Sequence, residues 1–104
     1  MNKVFLLNEK DIPENSARGI SRGVENYLVI KLGGKIYVYE DRCSHQDMPI
    51  SENYEIDGEK ITCGWHGAEF DIKTGKNLSM PAPAPIKKIS IEIDENGNIF
   101  ALLK

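Results

Sequence analysis

The chain has 104 residues, of which 40% are hydrophobic and 28% charged, and its formal net charge is −3. This length and composition fit one globular domain with a modest core, and they exclude a disordered protein. The apolar runs are too short for a membrane-spanning helix or a signal peptide, and the slightly acidic charge argues against nucleic-acid binding. We therefore expect a cytoplasmic monomer that binds neither nucleic acid nor membrane.

The first half of the chain predicts short strands. Residues 4–7 form a candidate first strand, whereas residues 9–24 are polar and predict nothing regular beyond a short helical turn. Two runs rich in β-branched and aromatic residues, 27–32 and 35–39, then flank Gly33-Gly34. A two-residue glycine turn between such runs is typical of a β-hairpin.

The second half predicts two further strand pairs. Their segments are 54–56 with 60–62 and 89–93 with 99–103, joined by turns at Asp57-Gly58 and Asn96-Gly97. Between the pairs, Pro81, Pro83 and Pro85 exclude a helix and favour an extended segment. No stretch of ten or more residues has a helical apolar period, so the expected class is all-β, with antiparallel sheets or a barrel.

The two cysteines and two histidines lie in two short segments, Cys43-Ser44-His45 and Cys63-Gly64-Trp65-His66. Each segment follows a predicted strand, so each is expected on a loop that carries one thiolate and one imidazole. If each loop places its Cys on one iron and its His on the other, two such loops give one iron with two Cys and one with two His. That is the ligand arrangement of a Rieske [2Fe–2S] centre.

Two alternatives fit parts of this pattern. Two Cys and two His also bind structural zinc, but zinc sites usually pair Cys with Cys and His with His in sequence, whereas here they are interleaved. A redox dithiol formed by Cys43 and Cys63 lacks the C-x-x-C spacing and leaves both histidines without a role. The pattern therefore favours a two-iron cluster, with a structural zinc module as the lesser alternative.

At the level of motifs, residues 43–45 and 63–71 resemble the two cluster loops of the Rieske family, and the Lys73-Thr74-Gly75 turn and the proline segment are also similar. The resemblance implies a Rieske-like fold with antiparallel sheets and a small cluster-binding subdomain that carries the two ligand loops. It implies one domain over residues 1–104, with the cluster-binding part at about 41–72. It also implies one [2Fe–2S] cluster, held by Cys43, His45, Cys63 and His66.

The resemblance further implies an electron carrier rather than an enzyme. Such a protein passes single electrons from a reductase to a terminal oxygenase or another oxidoreductase, by transient docking. The alternative is a permanent small electron-transfer subunit of a larger, nitrite-reductase-like complex. The sequence offers no catalytic residue set, and it lacks the glycine patterns of nucleotide or flavin sites.

Two features indicate a low reduction potential. High-potential Rieske proteins of cytochrome bc complexes carry two further cysteines, whereas this chain has two in all. They also carry Ser and Tyr hydroxyls beside the sulfurs, at positions that match Ala68 and Phe70 here. Hydrogen bonds to sulfur stabilise the reduced state, so their loss lowers the potential. The resemblance is therefore to the ferredoxins that serve ring-hydroxylating oxygenases.

The other residues of the two loops are expected to support the cluster site. The segment 48–50 is expected to cover the cluster against water. Trp65 is expected to be a similar cover or part of the core, with contact to a partner protein as the alternative. Asp71 is expected to end the second loop by bonding backbone groups. Gly64 and Gly67 are expected to allow close backbone approach or a positive φ. The sequence departs from many family members at Gly64, where Pro is common, and at Asp47, where a small residue is common.

Overall fold

The fold consists of short β-strands. A computed structural model of the chain describes residues 2–43, 48–64, 67–78 and 85–102, and within these ranges it contains strands and two 3₁₀ turns but no α-helix. The strands are β1 (Lys3–Asn8), β2 (Ser16–Arg22), β3 (Glu25–Leu32), β4 (Lys35–Glu40), β5 (Tyr54–Asp57), β6 (Lys60–Cys63), β7 (Glu69–Asp71), β8 (Ile91–Ile93) and β9 (Asn98–Leu102). The 3₁₀ turns are Glu9–Asp11 and Ile50–Glu52. The predicted all-β class is confirmed, and no helix of the described ranges is long and apolar enough to cross a membrane.

The strands form three antiparallel sheets of three strands each in the described ranges. The outer sheet has the order β1-β9-β8, the central sheet β2-β3-β4, and the cysteine sheet β5-β6-β7. Pairing of β1 with β9 brings the two ends of the chain together, with Phe5 opposite Phe100. The predicted pairing of 89–93 with 99–103 is confirmed for Ile91–Ile93 against Asn98–Leu102.

Strand β3 separates two buried cores. Leu28 and Ile30 belong to one hydrophobic cluster, which also contains both cysteines, whereas Tyr27 and Val29 belong to a second cluster with the outer sheet. This division follows from the period of two along a strand. All four side chains are at most 3% exposed, because the central sheet is covered on both faces. Burial on both faces also explains why this strand is an unbroken apolar run rather than an alternating one.

Glycine shapes the two predicted hairpins. Gly33 and Gly34 have φ values of 61° and 76°, and positive φ at both central residues is the requirement of a type I′ turn. The second hairpin turns one residue later than predicted, because Asp57 still pairs with Lys60. Its central residues are therefore Gly58, with a φ of 62°, and Glu59.

Two strands were not predicted. The expectation that residues 9–24 lack regular structure beyond a helical turn is wrong for β2, which pairs with β3 along its full length. This strand lies at the edge of the central sheet and its residues are mostly small or polar, so it shows no alternating apolar pattern. Strand β7 has only three residues, too few for a periodic signal. The predicted proline segment lies outside the described residues except for Pro85, which is in no regular element.

Candidate cluster-binding site

The first cysteine loop leaves the central sheet at the end of β4. Cys43 is 1% exposed, and its backbone N–H donates to the carbonyl of Met48 at 2.9 Å. This hydrogen bond closes the loop over residues 43–48. His45 lies within this loop and outside the described residues. Ile50 is fully buried and Met48 and Pro49 are half-buried, and the cover predicted for these three residues stays a prediction.

The second cysteine loop joins β6 to β7 and is closed in the same way. Cys63 is the last residue of β6 and fully buried, and its N–H donates to the carbonyl of Ala68 at 2.7 Å. Gly67 has a φ of 75° and donates its N–H to the carbonyl of Cys63 at 2.8 Å, so the predicted positive φ is confirmed there. Trp65 and His66 lie outside the described residues. Both cysteines thus begin a loop closed by a hydrogen bond from residue i to residue i+5.

The two loops are linked through Asn53. The N–H of Gly64 donates to the carbonyl of Asn53 at 2.7 Å. A Cβ at position 64 would overlap the Asn53 side chain, with its Nδ2 only 2.8 Å away. The backbone approaches Asn53 closely here, as predicted, so a side chain at position 64 would have to displace the Asn53 amide, and a proline would lack the N–H that makes this hydrogen bond.

Both cysteines lie in one apolar environment. They belong to the same buried cluster, and they form no disulfide. The cluster contains large apolar side chains from the central and cysteine sheets, among them Leu28, Ile30, Ile61, Phe70 and Ile72. A dry surrounding of this kind restricts solvent access and strengthens the effect of nearby charges on a bound metal.

Two tyrosine hydroxyls tie the cysteine sheet to the central sheet. The Tyr39 hydroxyl donates to the carbonyl of Ile72 at 2.6 Å in the interior. Desolvation raises the pKa of Tyr39 to about 12, and the nearby Asp71 carboxylate and Tyr37 add to this rise. The Tyr54 hydroxyl accepts from the N–H of Ala17 at 3.0 Å and donates to the carbonyl of the same residue at 3.1 Å.

Tyr54 lies beside the start of the second loop, because it is the pairing partner of Cys63 across β5 and β6. Neither tyrosine contact was predicted, since each joins residues more than thirty positions apart and has no local sequence signal.

Asp71 acts as predicted. Its side chain accepts from the N–H of Lys73 at 2.8 Å and its carbonyl accepts from that of Gly75 at 2.7 Å, which turns the chain after the second loop.

Comparison with known proteins gives one consistent result. The model of the Rieske [2Fe-2S] domain family matches residues 2–90. The 3-phenylpropionate/cinnamic acid dioxygenase ferredoxin subunit of Escherichia coli (strain K12) is 36% identical over 100 residues, which are 96% of this chain and 92% of that protein. The protein of the same name from Shigella flexneri serotype 5b (strain 8401) has the same identity and coverage.

Solved structures show the same likeness. The ferredoxin of Sphingomonas yanoikuyae B1 superimposes with a TM-score of 0.88 at 25% identity, over 99% of this chain and all of that one. A chain from the complex of reduced oxygenase and oxidised ferredoxin in carbazole 1,9a-dioxygenase has a TM-score of 0.85 at 27% identity, over 98% and 97% of the two chains. The predicted fold, the predicted [2Fe–2S] cofactor and the predicted role of electron carrier rather than enzyme are confirmed by these relatives. The chain belongs to the Rieske [2Fe–2S] domain family.

Proposed function

We propose that Cys43, His45, Cys63 and His66 hold the [2Fe–2S] cluster of this protein, within a cluster-binding part at about 41–72 of a single domain over residues 1–104. The equivalent closure of the two loops carries the proposal. Each loop begins with a buried cysteine that forms no disulfide, and each has its histidine two or three residues further along. Thiolate and imidazole are the donor types of a Rieske centre, so the residues present fit the group.

The protein would act as a soluble, cytoplasmic one-electron carrier between a reductase and a ring-hydroxylating oxygenase. The cluster supplies one-electron chemistry when bound. The chain provides the donors, excludes water with its apolar core and closes both loops with backbone hydrogen bonds. The names of the relatives, which are ferredoxin subunits of dioxygenases, support these partners, and two cysteines that form no disulfide suit a reducing compartment.

A freely diffusing carrier is favoured over a permanent subunit by the surface. In the described ranges the exposed large hydrophobic side chains are Phe5, Val24, Leu78 and Ile93. Val24 lies in the β2–β3 turn and Leu78 follows β7, whereas the other two lie on different strands of the outer sheet. Among the described residues the exposed large hydrophobic side chains are thus spread over separate elements, whereas a permanent interface requires a single large apolar patch.

The potential should be low because of two buried side chains beside the second loop. Ala68 and Phe70 are both fully buried, and neither carries a hydrogen-bond donor. Without such donors to stabilise the reduced state, we expect a midpoint potential toward the lower part of the Rieske range, which spans roughly −150 to +300 mV. A measured value above about +200 mV would contradict this expectation.

The ligand set is tested by electron paramagnetic resonance of dithionite-reduced protein produced with iron. We expect an average g value well below that of the free electron, as mixed nitrogen and sulfur ligation gives. Cys43→Ser and Cys63→Ser should abolish the signal and the visible absorption. Met48→Leu, which removes the sulfur of a half-buried residue at the end of the first loop, should retain both. A silent wild-type spectrum, or a cluster that survives both serine substitutions, would refute the proposed set.

The carrier role is tested by mixing the reduced protein with an oxidised Rieske oxygenase and following the visible spectrum under argon. The rate of reoxidation should rise with oxygenase concentration. An unrelated iron–sulfur acceptor of similar potential serves as the control for non-specific transfer. Reoxidation no faster with the oxygenase than with that control would count against the proposed partner.

A further inference from the structure

Asp41 stands out in the described part of the chain as its one buried charged residue, with 7% of its surface exposed. It lies two positions before Cys43, where β4 has just ended. Its carboxylate accepts two hydrogen bonds from a single residue, Ser51. The backbone N–H of Ser51 donates to Oδ1 at 3.0 Å, and its hydroxyl donates to Oδ2 at 2.5 Å.

These two hydrogen bonds enclose the first cysteine loop. The bond between Cys43 and Met48 closes the loop itself, and the bonds between Asp41 and Ser51 close a wider ring around it. The bond between Cys43 and Met48 and the bonds between Asp41 and Ser51 together hold the entry and the exit of the loop at a fixed separation. We call the paired hydrogen bonds between Asp41 and Ser51 the carboxylate clamp.

Strand β2 has a glycine, Gly19, at the point where the clamp packs against it. A Cβ at Gly19 would lie 2.8 Å from Asp41 Oδ2 and 2.9 Å from Ser51 Cβ, and it would overlap Ser51 Oγ. The φ of Gly19 is not in the positive range that favours glycine, so the need for glycine here arises from space alone. The clamp therefore packs directly against the edge of the central sheet.

The clamp also reaches the second loop. Two residues after Ser51, the carbonyl of Asn53 accepts the hydrogen bond from Gly64, which adjoins Cys63. The segment 51–53 is thus held by the carboxylate on one side and by the second loop on the other. A change at Asp41 should be felt by both loops, because they share this segment.

The charge of Asp41 matters as well as its hydrogen bonds. Reduction adds one electron, and so one negative charge, to the site that the two loops surround. A nearby negative charge opposes this addition, and it does so more strongly in the interior than at a solvated surface. Glu52, the next residue after Ser51, is exposed and should be screened by water.

On the basis of the ligand set proposed above, we propose that Asp41 is a positioning residue that fixes the first cysteine loop, and that its buried charge keeps the reduction potential of the cluster low. The clamp holds the loop entry against the segment that leads to the second loop. The charge disfavours the reduced state. A purely structural role of Asp41 predicts that its loss loosens the first cysteine loop but leaves the reduction potential unchanged.

The test compares three variants of the cluster-containing protein at pH 7 by potentiometric titration with dithionite. Asp41→Asn, which keeps the shape and removes the charge, should shift the midpoint to a more positive value. Glu52→Gln removes the same charge from an exposed side chain of the same turn, and it should leave the midpoint within error of the wild type. Ser51→Ala keeps the Asp41 charge, so its midpoint should stay nearer the wild type than that of Asp41→Asn.

The clamp itself is tested by the loss of visible absorption in the presence of a chelator. Ser51→Ala should release the cluster about fivefold faster than the wild type, the factor that corresponds to about 1 kcal/mol for one lost hydrogen bond. Glu52→Gln should release it at the wild-type rate. This measurement also decides the case in which Asp41→Asn folds but takes up no cluster, because Ser51→Ala retains the carboxylate and one of its two donors.

The outcomes separate this inference from the ligand proposal. A wild-type protein without a dithionite-reducible cluster overturns the ligand set and the inference with it. If the wild type carries the cluster but Asp41→Asn and Glu52→Gln share its midpoint, the charge effect is wrong and the ligand set stands. A wild-type release rate in Ser51→Ala overturns the clamp in every case.

Discussion

Removal of the Tyr39 hydroxyl should lower stability at neutral pH and remove part of the loss of stability at high pH. The ring is fully buried in the cluster that contains both cysteines, and the hydroxyl donates to the carbonyl of Ile72 at 2.6 Å. Tyr39→Phe preserves the ring and leaves this carbonyl without its partner. A buried acceptor that loses its donor costs about 1–3 kcal/mol, so the free energy of unfolding near pH 8 should fall by about that amount.

The alkaline effect follows from the pKa of Tyr39, which burial raises from the ordinary 10.0 to about 12. Between these values the unfolded chain gives up the phenolic proton while the folded chain keeps it. The wild type therefore retains its full stability below pH 10 and loses this contribution as the pH rises toward 12. A shift of this size corresponds to about 3 kcal/mol, at about 1.4 kcal/mol for each pKa unit. Phenylalanine has no proton to lose, so Tyr39→Phe should not show this loss.

Urea unfolding followed by far-ultraviolet circular dichroism, at several pH values from about 8 to 12, measures both effects. The stability gap between wild type and Tyr39→Phe should narrow as the pH rises and should close or reverse near pH 12. Tyr37→Phe is the matched control for the lost hydrogen bond near pH 8, because Tyr37 is only half-buried and its hydroxyl makes no hydrogen bond to the described residues. A gap that stays constant from pH 8 to 12 would refute the reasoning.

Three further substitutions probe the tie between β2 and β5, the turn after β7, and the ligand set. Tyr54→Phe removes the hydroxyl that bonds both backbone groups of Ala17, and it should lower the free energy of unfolding in urea by about 1–2 kcal/mol; an unchanged value would count against the tie. Gly75→Ala forces a side chain into a φ of 78° with a buried ring 2.7 Å from the new Cβ, and it should lower the thermal midpoint more than Gly33→Ala, which has positive φ but open space. His66→Cys should lower the midpoint potential in a redox titration or lose the cluster, since a thiolate adds negative charge, and a rise would contradict the electrostatic argument.

The sequence predicts those parts of the fold that depend on local chemistry. The hairpins were found because glycines with positive φ mark their turns, as at Gly33-Gly34. The interleaved Cys and His pattern predicts a two-metal site because each segment can place its Cys on one metal and its His on the other. The structure shows that both cysteines begin loops of equal closure. The apolar run at β3 was recognised as a strand, although its burial on both faces required knowledge of the layers.

Contacts between distant segments could not be predicted in the same way. Strand β2 has no alternating apolar pattern because its residues are mostly small or polar, and its contact with the Tyr54 hydroxyl at Ala17 joins distant segments. Asp41 looks like an ordinary polar residue at a strand end until its burial and its bonds to Ser51 are seen. The sequence around Gly19 gives no sign of a packing role, yet the missing side chain of Gly19 makes room for Asp41 and Ser51. Each of these features depends on which segments become neighbours, and no local pattern encodes that.

The hydrogen bonds of Tyr39, Tyr54 and Asp41 have one effect in common that apolar packing alone would not provide. Tyr39 bonds the chain after the second loop, Tyr54 bonds β2 from the position opposite Cys63, and Asp41 bonds the exit of the first loop. A single hydrogen bond contributes only about 1 kcal/mol of net stability, although leaving a buried partner unsatisfied costs more. Their directionality matters more, because buried and fully satisfied hydrogen bonds select one arrangement where apolar contacts permit several. A site that must hold the same ligands before and after a change of charge benefits from such restraint, so loss of a tie should shorten the lifetime of the cluster as well as lower the melting temperature.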